Sequence, residues 1–211
     1  EKVSHSETQI LNEEEQAQFK PWYKLNTQDN LNRVIVMENG GVWGQAYREL
    51  FYYPSNLPSV FMWSAQQILG VSLVDEILNH HNTIFVLGHE KDDSDMHYQL
   101  AYTRDPNAEW QRIDAPFKGR GAKLLFVDHE DNLWVSHQKQ VWVYDFKAHA
   151  WQQKLTAPFS VYTATEDSQN RIWLGVVDRL MLWNGQQLVE QGKVQNGSIS
   201  MLSAAEGRVV M

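Results

Sequence analysis

The stretch "DHEDNLWVSHQKQVWVYDFKAHAW" spans Asp128–Trp151, and "DSQNRIWLGVVDRLMLWNGQQLV" spans Asp167–Val189. Both open on an aspartate, cross a short polar turn, reach a tryptophan between aliphatic residues, pause, and start a second apolar run. In the first, Val141, Val143 and Asp145 alternate with Trp142, Tyr144 and Phe146, the period of two that belongs to a strand. Trp134 and Trp173 lie 39 residues apart. Stepping outward, Phe85 lies 49 before Trp134, Trp43 lies 42 before Phe85, and Val210 lies 37 after Trp173. A second series, Trp22, Trp63, Trp110, Trp151 and Leu188, precedes the first by 21, 22, 24, 22 and 22 residues. "APF" also recurs, at Ala115–Phe117 and Ala157–Phe159.

Two series that keep phase over this length define a repeat of sheet-blade size. Each copy reads as four short strands, here a to d. Strand a is "KLLFVD" (123–128) or "SVYTATED" (160–167), strand b "NLWVS" or "RIWLG", and strand c "VWVYDF" or "LMLWN". Strand d carries Trp151 or Leu188. Asp131-Asn132, Asn170 and Gly40-Gly41 suit the a–b turns, and Asn184-Gly185 suits a c–d hairpin. A lone four-stranded sheet cannot bury both faces, whereas radial stacking can. The expected fold is therefore an all-β propeller forming a single domain over 1–211. Its repeats fall at about 31–67, 71–113, 121–155, 160–191 and 198–211. The last copy has strand a at "SISMLS" (198–203) and strand b at "RVVM" (208–211). Strands c and d at "ETQIL" (7–11) and "FKPWYKL" (19–25) would complete it as a fifth blade, with "NEEEQAQ" (12–18) as a short helix or connection. A fragment of a larger, for example seven-bladed, ring would keep the same phase, and a tryptophan-rich β-sandwich is the competing architecture.

Composition narrows the function. Of 211 residues, 43% are apolar and 21% charged, a globular balance. The formal net charge of −8 argues against nucleic-acid or anionic-membrane surfaces. No run reaches the roughly 18 apolar residues of a membrane helix. With no cysteine there are no disulfides and no thiolate metal sites. The chain opens Glu1-Lys2-Val3, without initiator Met or apolar signal core, as expected of a processed or trimmed product.

Asp128…Asn132-Leu133-Trp134 and Asp167…Ile172-Trp173-Leu174-Gly175…Leu180, with a fainter echo at Gly40…Trp43, resemble two-component regulator propeller repeats, which read D-x-x-G-N-x-W-x-G-T-x-x-G-L. The motif's first glycine is here Asp131 or Asn170, its asparagine is Arg171 in the later copy, its second glycine is Ser136 in the earlier one, and its threonine is His137 or Val176. The resemblance implies the extracytoplasmic, periplasmic sensor region of a bacterial signalling protein whose parent is membrane-anchored. It also implies that d–a and b–c connections share one face. That face would carry Lys118, Arg120, His137 and Lys139, joined by Tyr47, Arg48, Asp178 and Arg179, as a ligand-binding rim around a funnel.

One insertion accounts for the long interval from Phe85 to Trp134. It falls in "GHEKDDSDMHYQ" (88–99), where His89, Asp93, Asp95 and His97 are weak metal-ligand candidates. Their spacing is not that of a calcium-binding helix–loop–helix, and an acidic surface hairpin is the plainer reading. "NHH" (79–81) reads as a solvated a–b turn on the opposite face. Asp128, Glu166 and Asp167 read as turn-capping acids. Trp43, Trp134 and Trp173 read as packing between blades, with Trp142 and Trp183 less fixed by the period.

No nucleophile elbow, cysteine nucleophile or phosphate loop is present. The expectation is a non-catalytic sensor that binds a small molecule or a protein and needs no cofactor. A polysaccharide-acting hydrolase or lyase and a protein-assembly scaffold are the alternatives.

Overall fold

The computed structural model describes residues 31–55, 60–90, 97–195, 197–205 and 208–210. The segments expected to supply the completing strands (7–11 and 19–25), and the 12–18 connection, lie outside the described residues. Four four-stranded antiparallel sheets follow one another along the chain. The first holds β1 (Arg33–Val36), β2 (Val42–Gln45), β3 (Glu49–Tyr53) and β4 (Phe61–Ser64). The second holds β5 (Leu73–His80), β6 (Thr83–His89), β7 (His97–Thr103) and β8 (Gln111–Lys118). The third holds β9 (Ala122–Val127), β10 (Leu133–His137), β11 (Gln140–Asp145) and β12 (Ala150–Thr156). The fourth holds β13 (Val161–Glu166), β14 (Ile172–Val176), β15 (Arg179–Trp183) and β16 (Leu188–Lys193). A two-stranded ladder, β17 (Ser203–Ala205) with β18 (Arg208–Val210), ends the described chain.

In each four-stranded sheet the spatial order is the chain order, so strands a, b, c and d are successive hairpin neighbours. Strand a of the third sheet, β9, packs against both β5 and β13, which makes the a strands the inner edge of a radial array. The apolar core lies between sheets, in three clusters. Trp43, Leu50 and Ile68 pack on Val74 and Ile77 between the first and second sheets. Leu87 and Leu100 meet Leu124 and Val135 between the second and third. Trp134 and Val143 meet Val161 and Leu174 between the third and fourth. Strand b is covered on both faces and is buried without alternation, as in β10, all five residues of which are buried. Strand d lies outermost and is largely exposed, as in β12. This is the blade arrangement of a propeller, and it excludes two face-to-face layers.

The repeat's fixed residues have separate duties. Asp128 Oδ1 accepts the N–H groups of Glu130 (3.0 Å) and Asn132 (2.8 Å), closing the a–b turn, while Oδ2 accepts the Trp134 indole N–H at 2.7 Å. Asp167 repeats this with Gln169 (2.9 Å), Arg171 (3.0 Å) and the Trp173 indole (2.8 Å). Gly40, Asp131 and Asn170, three residues before each tryptophan, take φ of 78°, 67° and 59°. These are left-handed positions that glycine, aspartate and asparagine tolerate best.

Two residues after the tryptophan, the side chain faces the next sheet. The Gln45 amide donates to Val74 O (3.2 Å) and Asp75 O (2.9 Å), and Ser136 Oγ donates to Val161 O at 3.0 Å. Gly175 fills the same position. A Cβ there would lie 2.7 Å from Thr163 Cγ2 and 2.8 Å from Ile199 Cγ2, which is the physical reason for a glycine.

Four details depart from the sequence reading. A one-turn helix, α1 (Ala65–Ile68), follows β4, held by a capping box between Ser64 and Gln67. The second sheet continues to Lys118 rather than ending near 113, because Ala115–Phe117 stays in strand and Phe117 is 3% exposed. The matching Ala157–Phe159 follows β12, with Phe159 43% exposed, so the tripeptide echo is not a structural equivalence. In the last repeat the strand-a ladder starts at Ser203, where β18 offers a partner, although Ile199 N–H already bonds to Val177 O at 2.7 Å.

Candidate functional site

The b–c and d–a connections form one face of the array, here the upper, and the a–b and c–d turns form the lower. All eight rim residues map to upper-face connections. Tyr47 and Arg48 follow β2; Lys118 ends β8, with Arg120 in the link to β9; His137 ends β10, with Lys139 beyond it; Asp178 and Arg179 span the turn into β15. Several are engaged locally. The Arg179 guanidinium reaches Glu190 (2.8 Å) and Asp178 (3.7 Å) and lies over the Phe159 ring, while Lys193 Nζ meets Asp178 at 3.0 Å. His137 is buried, stacks on Phe117 at 5.3 Å, and has Nε2 3.1 Å from Gly119 O. Asp178 lines a cavity of about 490 Å³ beside Lys193 and Gln195.

The expected metal loop is described in part. His89 Nδ1 sits 2.6 Å from Asp75 Oδ2, and His97, exposed, opens β7 opposite Lys118. Asp93 and Asp95 lie outside the described residues. Among the described residues no cluster of three or more His, Cys, Asp or Glu side chains is placed to hold a metal.

A cavity opens on the lower face. A groove of about 680 Å³ lies between the second and third sheets. One wall is the β5–β6 turn with His80 and His81, together with the β7–β8 loop carrying Arg104 and Glu109. The other wall is Asp131 and Phe146 of the third sheet. Phe85 and Tyr102 form the floor with Phe146, their centroids 5.9 and 5.2 Å from the Phe146 ring. A smaller cavity of about 300 Å³ shares His80 and Asp131 and runs on to His129 and Glu166 beside the fourth sheet.

Local bonding shapes these walls. Thr103 Oγ1 donates to Asp105 O at 2.6 Å, and Asp105 Oδ1 accepts Asn107 N–H at 2.8 Å, which folds the β7–β8 loop back. His81 takes φ 51° in a two-residue turn and packs on His80 at 4.2 Å. His80 Nε2 lies 3.9 Å from Asp131 Oδ1. Burial, and then the neighbouring His81, lower the His80 pKa, with Asp131 opposing. His129 Nδ1 pairs with Glu166 at 2.5 Å, and the bond raises its pKa. Glu166 also accepts the His129 backbone N–H at 2.7 Å, so it ties two neighbouring sheets and is not a turn cap of its own strand.

The groove thus brings together His80, His81, Arg104, Glu109, Asp131 and Phe146, none of which the rim reading included. The usable signal was the pair of polar turns in one repeat, "NHHN" (79–82) and "TRDPNAE" (103–109), the second of them between Tyr102 and Trp110. An aromatic floor beside charged and imidazole groups can hold a polar organic ligand through stacking and hydrogen bonds.

No protein-family model matches the chain, and no curated protein matches it significantly. Solved structures do. The extracellular domain assigned to a one-component system of B. thetaiotaomicron aligns with TM-score 0.65 at 13% identity over 84% of this chain and 25% of its own. The extracellular domain assigned to a hybrid two-component system of the same organism aligns with TM-score 0.60 at 12% identity, over 82% and 24%. Virginiamycin B lyase from Staphylococcus aureus aligns with TM-score 0.65 at 11% identity, over 87% and 63%. The chain therefore spans about a quarter of the length of the two sensor ectodomains. At these identities the likeness is one of fold, and the fold is that of propeller blades.

Proposed function

We propose that this chain is part of an extracytoplasmic sensor propeller of a bacterial signalling protein, and that its ligand enters the lower-face groove between the second and third sheets. The observation that carries this is the groove itself, about 680 Å³ with an aromatic floor and charged walls. The blade array shared with sensor ectodomains supports it by analogy of fold. Among the described residues no helix is long and apolar enough to cross a membrane, so in this reading the anchor belongs to other parts of the parent protein. Binding here would bridge two sheets, and a ligand that bridges them biases how they sit against one another.

The test is a thermal-shift screen of the chain and of an Ala108→Trp variant, which fills the groove mouth, against soluble sugars, peptides and amines. A ligand at 100 times its Kd adds roughly 2.7 kcal/mol of stability. It should shift the parent chain and leave the variant unmoved. A ligand that shifts both equally, or a stable protein partner whose capture Ala108→Trp leaves intact, would refute the groove reading.

A hydrolase or lyase is the second reading. His80 and His129 line one cavity with pKa values displaced in opposite directions, the separation an acid–base pair needs. Turnover of a glycan or lactone panel that His129→Gln abolishes would promote it.

A further inference from the structure

This inference rests on the lower-face groove being a ligand site, and it concerns the chemistry of the ligand. The groove's two unspent carboxylates stand on opposite walls. Glu109, in the β7–β8 loop, is exposed and has no hydrogen-bond or ion-pair partner among the described residues. Asp131 projects from the third sheet with its side chain 80% exposed, and His80 Nε2 lies 3.9 Å from its Oδ1. Asp105 does not join them as a free group, since its carboxylate holds Asn107. Arg104 is the single Lys or Arg among the described lining residues. His80 offsets the carboxylates less than a free imidazole would, because burial and then His81 lower its pKa, with Asp131 opposing.

Between these walls lie the rings of Tyr102 and Phe146, one from each sheet, in edge-to-face contact at 5.2 Å. Aromatic faces attract ammonium groups, and more so as water is displaced. An anionic ligand would meet two carboxylates for one guanidinium. A neutral ligand would cover Glu109 without satisfying it, which costs free energy. The net charge of −8 draws cations toward the chain at longer range.

We infer that the lower-face groove binds a ligand bearing an alkylammonium group, held between Glu109 and Asp131 over the Tyr102 and Phe146 rings. At about 680 Å³ the groove exceeds one alkylamine, so the group belongs either to a lysine side chain within a peptide or to a longer free amine.

Isothermal titration of the chain at low salt would use three probes. They are N-acetyl-lysine methylamide, its norleucine counterpart, in which a methyl replaces the ammonium, and 1,5-diaminopentane. At least one ammonium probe should bind about tenfold or more tighter than the norleucine probe. Glu109→Gln and Asp131→Asn should each weaken that probe roughly three- to tenfold, and Arg104→Gln should strengthen it. A tighter lysine probe assigns the group to a peptide, and a tighter diamine assigns it to a free amine. Equal or tighter norleucine binding, or weakening by Arg104→Gln, overturns the inference. If none of the probes binds while some other ligand is blocked by Ala108→Trp, the inference fails and the groove reading stands. If Ala108→Trp blocks nothing, both fail.

Discussion

Asp167→Asn tests the reasoning behind the repeat most directly. Asp167 is 5% exposed and serves four donors. Oδ1 takes the Gln169 and Arg171 N–H groups at 2.9 and 3.0 Å; Oδ2 takes Arg171 Nε at 2.7 Å and the Trp173 indole at 2.8 Å. An asparagine that keeps its oxygen on the two backbone groups turns its amide N–H₂ toward two other donors. Hydrogen bonds to charged groups are worth about 1.5–3 kcal/mol each, and a stranded indole N–H costs about 1–3. Arg171 is partly exposed and regains water, so the loss should be about 2–4 kcal/mol.

The carboxyl's acidity gives a second route to the size. Burial alone would raise its pKa, but the indole, the Arg171 N–H and guanidinium, and the Gln169 N–H together lower it from 3.8 to about 2. A displacement of that size corresponds to about 2 kcal/mol, in line with the bond count. A depressed carboxyl contributes stability above its unfolded pKa and loses it as pH falls through the folded value. Urea denaturation of the parent chain and of Asp167→Asn should therefore show the full gap at pH 7. The gap should narrow as pH drops below about 4 toward 2. A gap under about 0.5 kcal/mol at pH 7, or one that holds constant down to pH 3, would refute the assigned role.

Further tests follow from the same geometry. Trp134→Ala should cost about 3–5 kcal/mol in thermal or urea denaturation, because the ring is 5% exposed and stacks on Phe126 at 5.4 Å. Trp134→Phe, which keeps most of the packing and loses the bond to Asp128, should cost about 1–2 kcal/mol. Gly175→Ala should destabilise by about 1–3 kcal/mol through the clash with Thr163 and Ile199. Gly192→Ala, with nothing within 4 Å of its Cβ, should change melting little. Burial raises the Glu76 pKa although Lys123 lies at 3.3 Å and Leu124 N–H at 2.7 Å. A raised carboxyl loses stability as pH rises through its folded value. Glu76→Gln, which keeps an acceptor for Leu124, should thus gain on the parent chain as pH climbs above about 4.5, and parallel pH profiles would count against this.

The blade period was legible because strand b is covered on both sides, so each copy needs one large apolar residue at the same place. That demand survives replacement of tryptophan by Phe85. The turn aspartates were legible as caps, but their bond to the indole six residues later was not, since periodicity carries no side-chain geometry. In the second sheet the same interval joins Asn79 to Phe85. The phenylalanine ring carries no N–H, the turn is tighter, and Asn79 Oδ1 is buried without a partner among the described residues. Helix α1 escaped the strand pattern because four residues are too few to show a 3.6 period. Its signal was the Ser64-x-x-Gln67 capping box.

The groove was hidden for a different reason. Each of its turns looks solvated when read alone, and the site exists only where the His80–His81 turn and the Arg104–Glu109 loop of one copy face Asp131 and Phe146 of the next. The upper-face connections carry structural duties. The carbonyls of Tyr47, Gln138 and Val177 accept the N–H groups of Val74, Val161 and Ile199 at 2.6, 3.0 and 2.7 Å, each joining one sheet to its successor. At the junction of the second and third sheets, side chains also supply such links. Glu76 receives Leu124 N–H at 2.7 Å, and the Tyr98 hydroxyl receives Gly121 N–H at 3.1 Å. An upper turn that must present a carbonyl to the next sheet is constrained in backbone path. On the lower face, the described links between turns of neighbouring sheets run through side chains: His129–Glu166 beside the smaller cavity, and His80–Asp131 at 3.9 Å in the main groove. A weak surface pair at 3.9 Å constrains the groove turns less than a backbone carbonyl constrains an upper turn, so their exposed side chains can vary at smaller cost to the array, and that latitude is the physical reason to look for specificity there.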